Sequence, residues 1–238
     1  MRSLLFWSTL PFLAPQALYV RQTAPRFAGA EGPSHGSAGE GESLQLLAVG
    51  DSIIAGVGAS QLQNALVGRA AESLASTLSR KVHWRAHGYI GANSTRLLAQ
   101  HLPTIDNLSA DVLITSIGIN DVTSMTTIPR WKDNISALLQ TLSYQNDNAI
   151  IAFAGLPPLH GFPLLPQPLR SILGVRARDF DLAAREIIAR YPQVVHVPVE
   201  FETTPDKFAA DGYHPNEASY VAYGAGMAEK IVERLSNR

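Results

Sequence analysis

From Ser43 onward the chain alternates two kinds of apolar pattern. Short, largely apolar runs at Leu44 to Val49, Asp111 to Ile117, Ala149 to Ala154 and Val194 to Val197 have the length and composition of strands buried on both faces. Val82 to Ala86 alternates apolar and polar residues, as a strand with one covered face does. Between these runs apolar residues recur at helical spacing. Leu62, Leu66, Val67, Ala70, Ala71, Leu74 and Leu78 make one amphipathic face, and Trp131, Ile135, Leu138, Leu139 and Leu142 another. Ala177, Phe180, Ala184, Ile187, Ile188 and Tyr191 make a third, and a closing helix, Asn216 to Leu235, turns Tyr220, Tyr223, Met227, Ile231 and Leu235 inward. Ser94 to Leu102 reads as a short helix stopped by Pro103. Strands alternating with helices predict an α/β fold: a doubly wound, five-stranded parallel sheet covered on both faces.

Three stretches break this rhythm. Residues 4–20 are apolar apart from Ser8, Thr9, Gln16, Pro11 and Pro15, with Arg2 before them and Arg21 after. The pattern favours an export signal or membrane anchor over an apolar arm packed on the surface, so the chain is expected to be exported or membrane-associated through this segment and otherwise cytoplasmic. Residues 29–42, rich in Gly, Ser, Pro and Glu, read as a flexible linker, which places the start of the folded domain at Ser43 and its extent at residues 43–238. Finally, Gly155 to Arg170 holds Pro157, Pro158, Pro163, Pro166 and Pro168 and reads as a rigid loop. Leu159, Phe162, Leu164, Leu165, Leu169 and Ile172 give the stretch from Leu156 to Leu173 more apolar surface than a solvated loop needs. It is expected either to line a binding site or to cover the sheet edge.

Composition narrows the function without naming it. With 238 residues, 46% apolar, the chain supports one full core and hardly two. A formal net charge of -1 with no basic stripe leaves no footprint for nucleic acid. Cysteine is absent, which removes disulfides, thiol nucleophiles and thiolate-bound zinc.

In open α/β sheets ligands bind at the C-terminal edge of the strands, so the residue types at each strand end carry the chemistry. The first strand delivers Gly50, Asp51 and Ser52. The second leads into Gly88-Tyr89-Ile90-Gly91-Ala92-Asn93, the third into Gly118-Ile119-Asn120-Asp121, and the last connection into Asp211-Gly212-Tyr213-His214-Pro215. Serine needs a base to act as a nucleophile. In Asp-x-x-His the carboxylate of Asp211 lies close enough to orient the His214 ring, leaving its far nitrogen for Ser52. Oxyanion donors would be the backbone amides of Ser52 and Gly91 and the side-chain amide of Asn120. The remaining histidines, His35, His83, His87, His101, His160 and His196, have no partner at catalytic or metal-binding spacing.

These four blocks, in this order and spacing, resemble those of the SGNH hydrolases, also called GDSL esterases and lipases. The resemblance covers residues 43–238. It implies a flavodoxin-like three-layer α/β/α sandwich, Ser52, Asp211 and His214 as a catalytic triad, Ser52, Gly91 and Asn120 as oxyanion hole, and ester or thioester hydrolysis without metal or cofactor. A small-molecule ester is the partner it implies. The absence of room for a lid domain favours short acyl chains, while lysophospholipid, thioester and acetylated-sugar substrates stay open.

Two other readings compete. Gly56-x-Gly58 follows a strand, as in dinucleotide-binding folds, but Gln61 stands where the third glycine belongs and no phosphate-loop lysine follows. A binding protein that kept the fold and lost activity would be missing a triad or oxyanion residue, and none is missing.

Overall fold

The run from Leu44 to Val49 forms the axis of the molecule in the computed structural model, which describes residues 2–199 and 203–237. In chain order the elements are α1 (Arg2–Thr23), β1 (His35–Ala38), β2 (Ser43–Gly50), α2 (Leu66–Leu78), β3 (Lys81–Gly88), α3 (Ser94–Arg96), β4 (Val112–Ser116), α4 (Ile119–Thr123), α5 (Ile128–Tyr144), β5 (Ile150–Ala154), α6 (Leu169–Ile188), β6 (Val194–Val197) and α7 (Glu217–Ser236). Side chains alternate across the sheet, so each apolar strand feeds two cores. Leu44, Leu46 and Ala48 of β2 join Val112 and Ile114 of β4 under α2 and α7. Leu47 and Val49 point the other way, with Leu113, Ile151 and Phe153, against α5 and α6. The result is a three-layer α/β/α sandwich.

The strand order is β1-β3-β2-β4-β5-β6. From β2 the chain steps to β3 on one side and then crosses back to β4 on the other, so the order reverses at β2 and β4. Such a reversal leaves a crevice outside the C-terminal ends of the two strands, because their following loops turn apart.

Two expectations need correction. The sheet has six strands, not five: His35–Ala38, inside the stretch read as a linker, pairs antiparallel with β3. A four-residue strand without apolar alternation leaves no periodic signal. Its fit rests on Gly36, opposite Trp84, where a Cβ would stand 2.5 Å from the indole ring.

The N-terminal segment is the second. It forms α1, and among the described residues no helix is long and apolar enough to cross a membrane. The expectation of export or membrane attachment through this segment is therefore overturned. Instead α1 packs along α6: Phe6 and Leu13, two turns apart, are buried in the core, and the Arg176 guanidinium lies 4.0 Å from the centre of the Phe6 ring. Gln16, one of the polar interruptions, grips the entry to α6, donating to the Gln167 carbonyl at 2.9 Å and accepting from the Leu169 amide at 3.3 Å. The apolar run carries the docking surface of an arm.

The proline-rich stretch divides between the two roles expected of it. Leu159, Phe162, Leu165, Leu169 and Leu173 are buried in the core, and α6 begins at Leu169 rather than near Ala177. Pro168 stands just before the helix, where its fixed φ and missing N–H cost nothing. Phe162 also reaches the site described below.

Docking of α1 sets an expected result. Leu13→Ala removes a side chain 4% exposed and should cost about 2 kcal/mol in urea unfolding, at the low end for buried leucine because the helix is peripheral. Phe12→Ala, at a position 83% exposed, should change stability by less than about 0.5 kcal/mol. Equal effects at the two positions would contradict the packing.

Candidate active site

Ser52 stands one residue beyond the hydrogen-bonded end of β2. The Asp51 amide still donates to the Ser116 carbonyl of β4 at 3.0 Å, and Gly50 is needed because a Cβ there would lie 2.1 Å from that same oxygen. The chain then coils: Ala55 N–H donates to the Asp51 carbonyl and Val57 N–H to that of Ser52. The first N–H groups of such a coil have no acceptor behind them. The amide of Ser52 accordingly donates to no acceptor among the described residues.

The loop before α7 supplies the groups that face Ser52. Asp211 is buried, and its Oδ1 accepts from the amides of Tyr213 and His214, both at 2.9 Å, which folds the loop back on the carboxylate. Gly212 holds the turn at φ +64°. Oδ2 pairs with His214 Nδ1 at 2.6 Å, and His214 Nε2 lies 2.9 Å from Ser52 Oγ. A carboxylate only accepts, so Nδ1 carries the proton and Nε2 turns its lone pair to the serine hydroxyl. Burial alone would push Asp211 up, but the hydrogen bonds from His214 and the two amides outweigh it and hold the carboxyl below its ordinary value. The His214 ring meets the edge of Tyr213 at 5.3 Å, and Phe162 packs edge-on against Tyr213 at 5.3 Å.

The two glycines after β3 have different duties. Gly88 lets the strand end press on the turn after Ser52, where a Cβ would lie 2.0 Å from the Ala55 amide. Gly91 sits in a turn closed by the Ala92 amide on the Tyr89 carbonyl; its φ is +73°, and a Cβ there would meet nothing within 4 Å. The turn geometry, not crowding, requires glycine at this position. The Gly91 amide donates to no acceptor among the described residues.

Asn120 links this turn to the loop after β4: its Nδ2 donates to the Ala92 carbonyl at 2.9 Å, leaving the second amide hydrogen free. Next to it, fully buried Asp121 accepts from the Ser94 amide at 2.8 Å and the Ser94 hydroxyl at 2.7 Å, and Asn134 donates to the same hydroxyl. The two loops are thus fastened at two adjacent points. Ser52, His214 and Asp211 are joined directly, and Asn120 is joined to the Gly91 turn.

Other contributors left no motif. Ile117, Ile119, Leu156, Pro157, Phe162, Val199, Tyr213 and Tyr223 line the cleft beside Ser52 and His214, which holds about 40 Å³ of free space. The loop of Ser52 is also tied to α7, by the Tyr220 hydroxyl on the Val57 carbonyl at 2.8 Å and by Glu217 accepting from the Ser60 amide and hydroxyl at 2.8 and 2.6 Å. The helical pattern turns Tyr220 inward, but its hydroxyl partner is set by tertiary contact alone. Among the described residues no group of three or more His, Cys, Asp or Glu side chains could hold a metal ion.

Similarity to known proteins agrees with this geometry. The model of the GDSL-like Lipase/Acylhydrolase family matches residues 48–222. No curated protein matches the sequence significantly. Among solved structures, a family 3 carbohydrate esterase of Clostridium thermocellum superposes with a TM-score of 0.63 at 16% identity, over 82% of this chain and 98% of that one. The psychrotrophic esterase EstA from a Pseudoalteromonas species gives 0.62 at 17%, over 81% and 99%, and the lipase/acylhydrolase from Enterococcus faecalis 0.58 at 18%, over 80% and 96%.

Asp51 generates a pH effect. It is 2% exposed, and burial pushes its carboxyl up to about 7 against the Ile53 amide donating at 3.1 Å and the nearby His214. In the unfolded chain the group ionises near 3.8, so between there and about 7 the unfolded state sheds a proton that the folded state keeps. This carboxyl therefore lowers stability as pH rises through that window, and the loss persists above it. Asp51→Asn stays neutral. Its stability relative to wild type, from urea midpoints, should increase between about pH 5 and about pH 8; a difference independent of pH would count against the buried neutral acid.

Proposed function

The chain belongs to the GDSL-like lipase/acylhydrolase family and is an ester-bond hydrolase, and on that premise we propose that it hydrolyses carboxylic esters of short acyl groups through Ser52 and an acyl-enzyme intermediate. The observation that carries the proposal is the unbroken chain of hydrogen bonds, 2.6 Å from Asp211 to His214 and 2.9 Å from His214 to Ser52, ending at a cleft. As Ser52 Oγ attacks the ester carbonyl, its proton passes to His214 Nε2, and Asp211 holds the resulting imidazolium in place. The carbonyl oxygen gains negative charge and lies among the Ser52 amide, the Gly91 amide and the free hydrogen of Asn120. His214 then gives its proton to the departing alcohol. Water enters, loses a proton to the same nitrogen and attacks the acyl carbon, and Ser52 is released with the carboxylic acid.

The acyl preference follows from the dimensions of the cleft. About 40 Å³ of free space, walled by Ile117, Leu156, Phe162 and Tyr213, suits an acetyl or similarly small group. The same space is compatible with acetylated sugars, and carbohydrate esterases among the structural neighbours keep O-deacetylation as the second reading.

A series of p-nitrophenyl esters from acetate to palmitate tests the proposal. Turnover should be highest at the short end and fall to background in Ser52→Ala. Asn120→Ala should lower kcat by about 10² to 10³ with a smaller change in KM, because the oxyanion exists only after attack. A loss below tenfold would remove Asn120 from the oxyanion hole, and Ser52→Ala with wild-type turnover would end the mechanism.

A further inference from the structure

A second, more open cavity of about 570 Å³ lies against the cleft of Ser52, and Leu156, Pro157 and Val199 line both. The partition is the backbone at Gly155 and Leu156. Gly155 faces the cleft on one side and packs on the other against His196 and Asp181, where a Cβ would stand 2.8 Å from His196 Nε2 and 3.0 Å from Asp181 Oδ1. The Leu156 amide donates to that same carboxylate oxygen at 3.0 Å.

The opposite wall is a face of α6 on which Gly174, Arg178, Asp181 and Arg185 recur at helical spacing. Asp181 is the only carboxylate among the described lining residues, and its charge is already taken up: besides the Leu156 amide it accepts from His196 Nε2 and Arg185 Nε, each at 2.8 Å. Arg178 is different. It is exposed on the cavity wall and has no hydrogen-bond or ion-pair partner among the described residues. A guanidinium is a planar fork that matches a carboxylate, and this one stands at a cavity whose other surfaces include Pro157, Pro158, Val175 and Val199. One cavity therefore offers a small acyl-sized space beside Ser52, and the next an apolar floor leading to a cation without a partner among the described residues.

Resting on the reading of Ser52 as an esterase nucleophile, we propose that the second cavity is a subsite for an anionic group of the substrate, with Arg178 as its contact. The substrate class is then an ester that also carries a free carboxylate: a half-ester of a dicarboxylic acid, or an acylated hydroxy acid, joined by a short apolar chain lying along Leu156 and Pro157.

Two matched pairs test this on the full chain. Monoethyl adipate against ethyl adipamate places the charge on the acyl side, and 6-acetoxyhexanoate against 6-acetoxyhexanamide places it on the alcohol side. In one pair the acid should have a kcat/KM about three- to tenfold above its neutral amide, an advantage that shrinks as salt is raised. Arg178→Glu should bring the acid-to-amide ratio to one or below, and Arg178→Lys should keep part of it. Calorimetry of the same compounds on Ser52→Ala reads binding without turnover and should show the same preference. Equal kcat/KM and equal binding of acid and amide in both pairs would overturn the subsite, as would a preference that survives Arg178→Glu. If no ester is hydrolysed but acids bind Ser52→Ala more tightly in an Arg178-dependent way, the subsite stands and the esterase reading fails. Hydrolysis that depends on Ser52, without any preference for acids, has the opposite meaning.

Discussion

The hydrogen bond from the Asp51 amide to the Ser116 carbonyl is the contact on which the site depends. It extends the pairing of β2 and β4 one residue past the last strand residue of β2, and Gly50 permits it by carrying no side chain where the two backbones meet. Because strand order reverses at this pair, no other connection passes between the loops that follow. One loop supplies Ser52 and the other Asn120, and the Gly91 turn is drawn in by the hydrogen bond between Asn120 and the Ala92 carbonyl. The arrangement of Ser52, Asn120 and the Gly91 turn is a consequence of sheet topology, with glycine where the approach is closest.

Four buried carboxylates surround this point, and each is accommodated differently. Asp211 accepts from two amides and a ring nitrogen, Asp121 from a serine at both its amide and its hydroxyl, and Asp181 from an amide, an arginine and a histidine. Such donors offset the loss of water, and Asp211 and Asp181 both lie below the ordinary carboxyl value. Burial wins at the other two. Asp121, which accepts from Ser94, is pushed above the ordinary value. Asp51, with one amide donor, Ile53, and three tyrosines, Tyr213, Tyr220 and Tyr223, close enough to feel its charge, is pushed up to about 7. Ser52 thus adjoins a weak acid rather than a second fixed negative charge.

The central strands were legible because burial on both faces leaves continuous apolar runs, and the candidate site residues because they stand in short polar motifs, three after strand ends and one in the connection before α7. The structure brings Ser52, His214 and Asp211 within hydrogen-bond reach of one another and ties Asn120 to the Gly91 turn. What escaped the sequence depends on contacts with remote partners. His35–Ala38 is a strand because Gly36 fits against Trp84, a fact carried by β3 rather than by the segment itself. The helix at residues 2–23 reads as a membrane segment because its apolar content is visible, while its fit to α6 through Phe6, Leu13 and Gln16 is not. The cleft wall combines single residues from loops far apart in sequence, and a local pattern carries no sign of such convergence.

The strip of chain from Gly155 to Pro157 has a bearing on how substrate range can change. Leu156 forms part of two spaces at once, and its amide is pinned to Asp181 from the far side. A larger residue at this position would take volume from both, and a smaller one would merge them. At position 156, therefore, the sizes of the two spaces are not separately adjustable: a selection on one is also a selection on the other. Phe162 and Tyr213, which touch only the inner space, are where the two can be uncoupled.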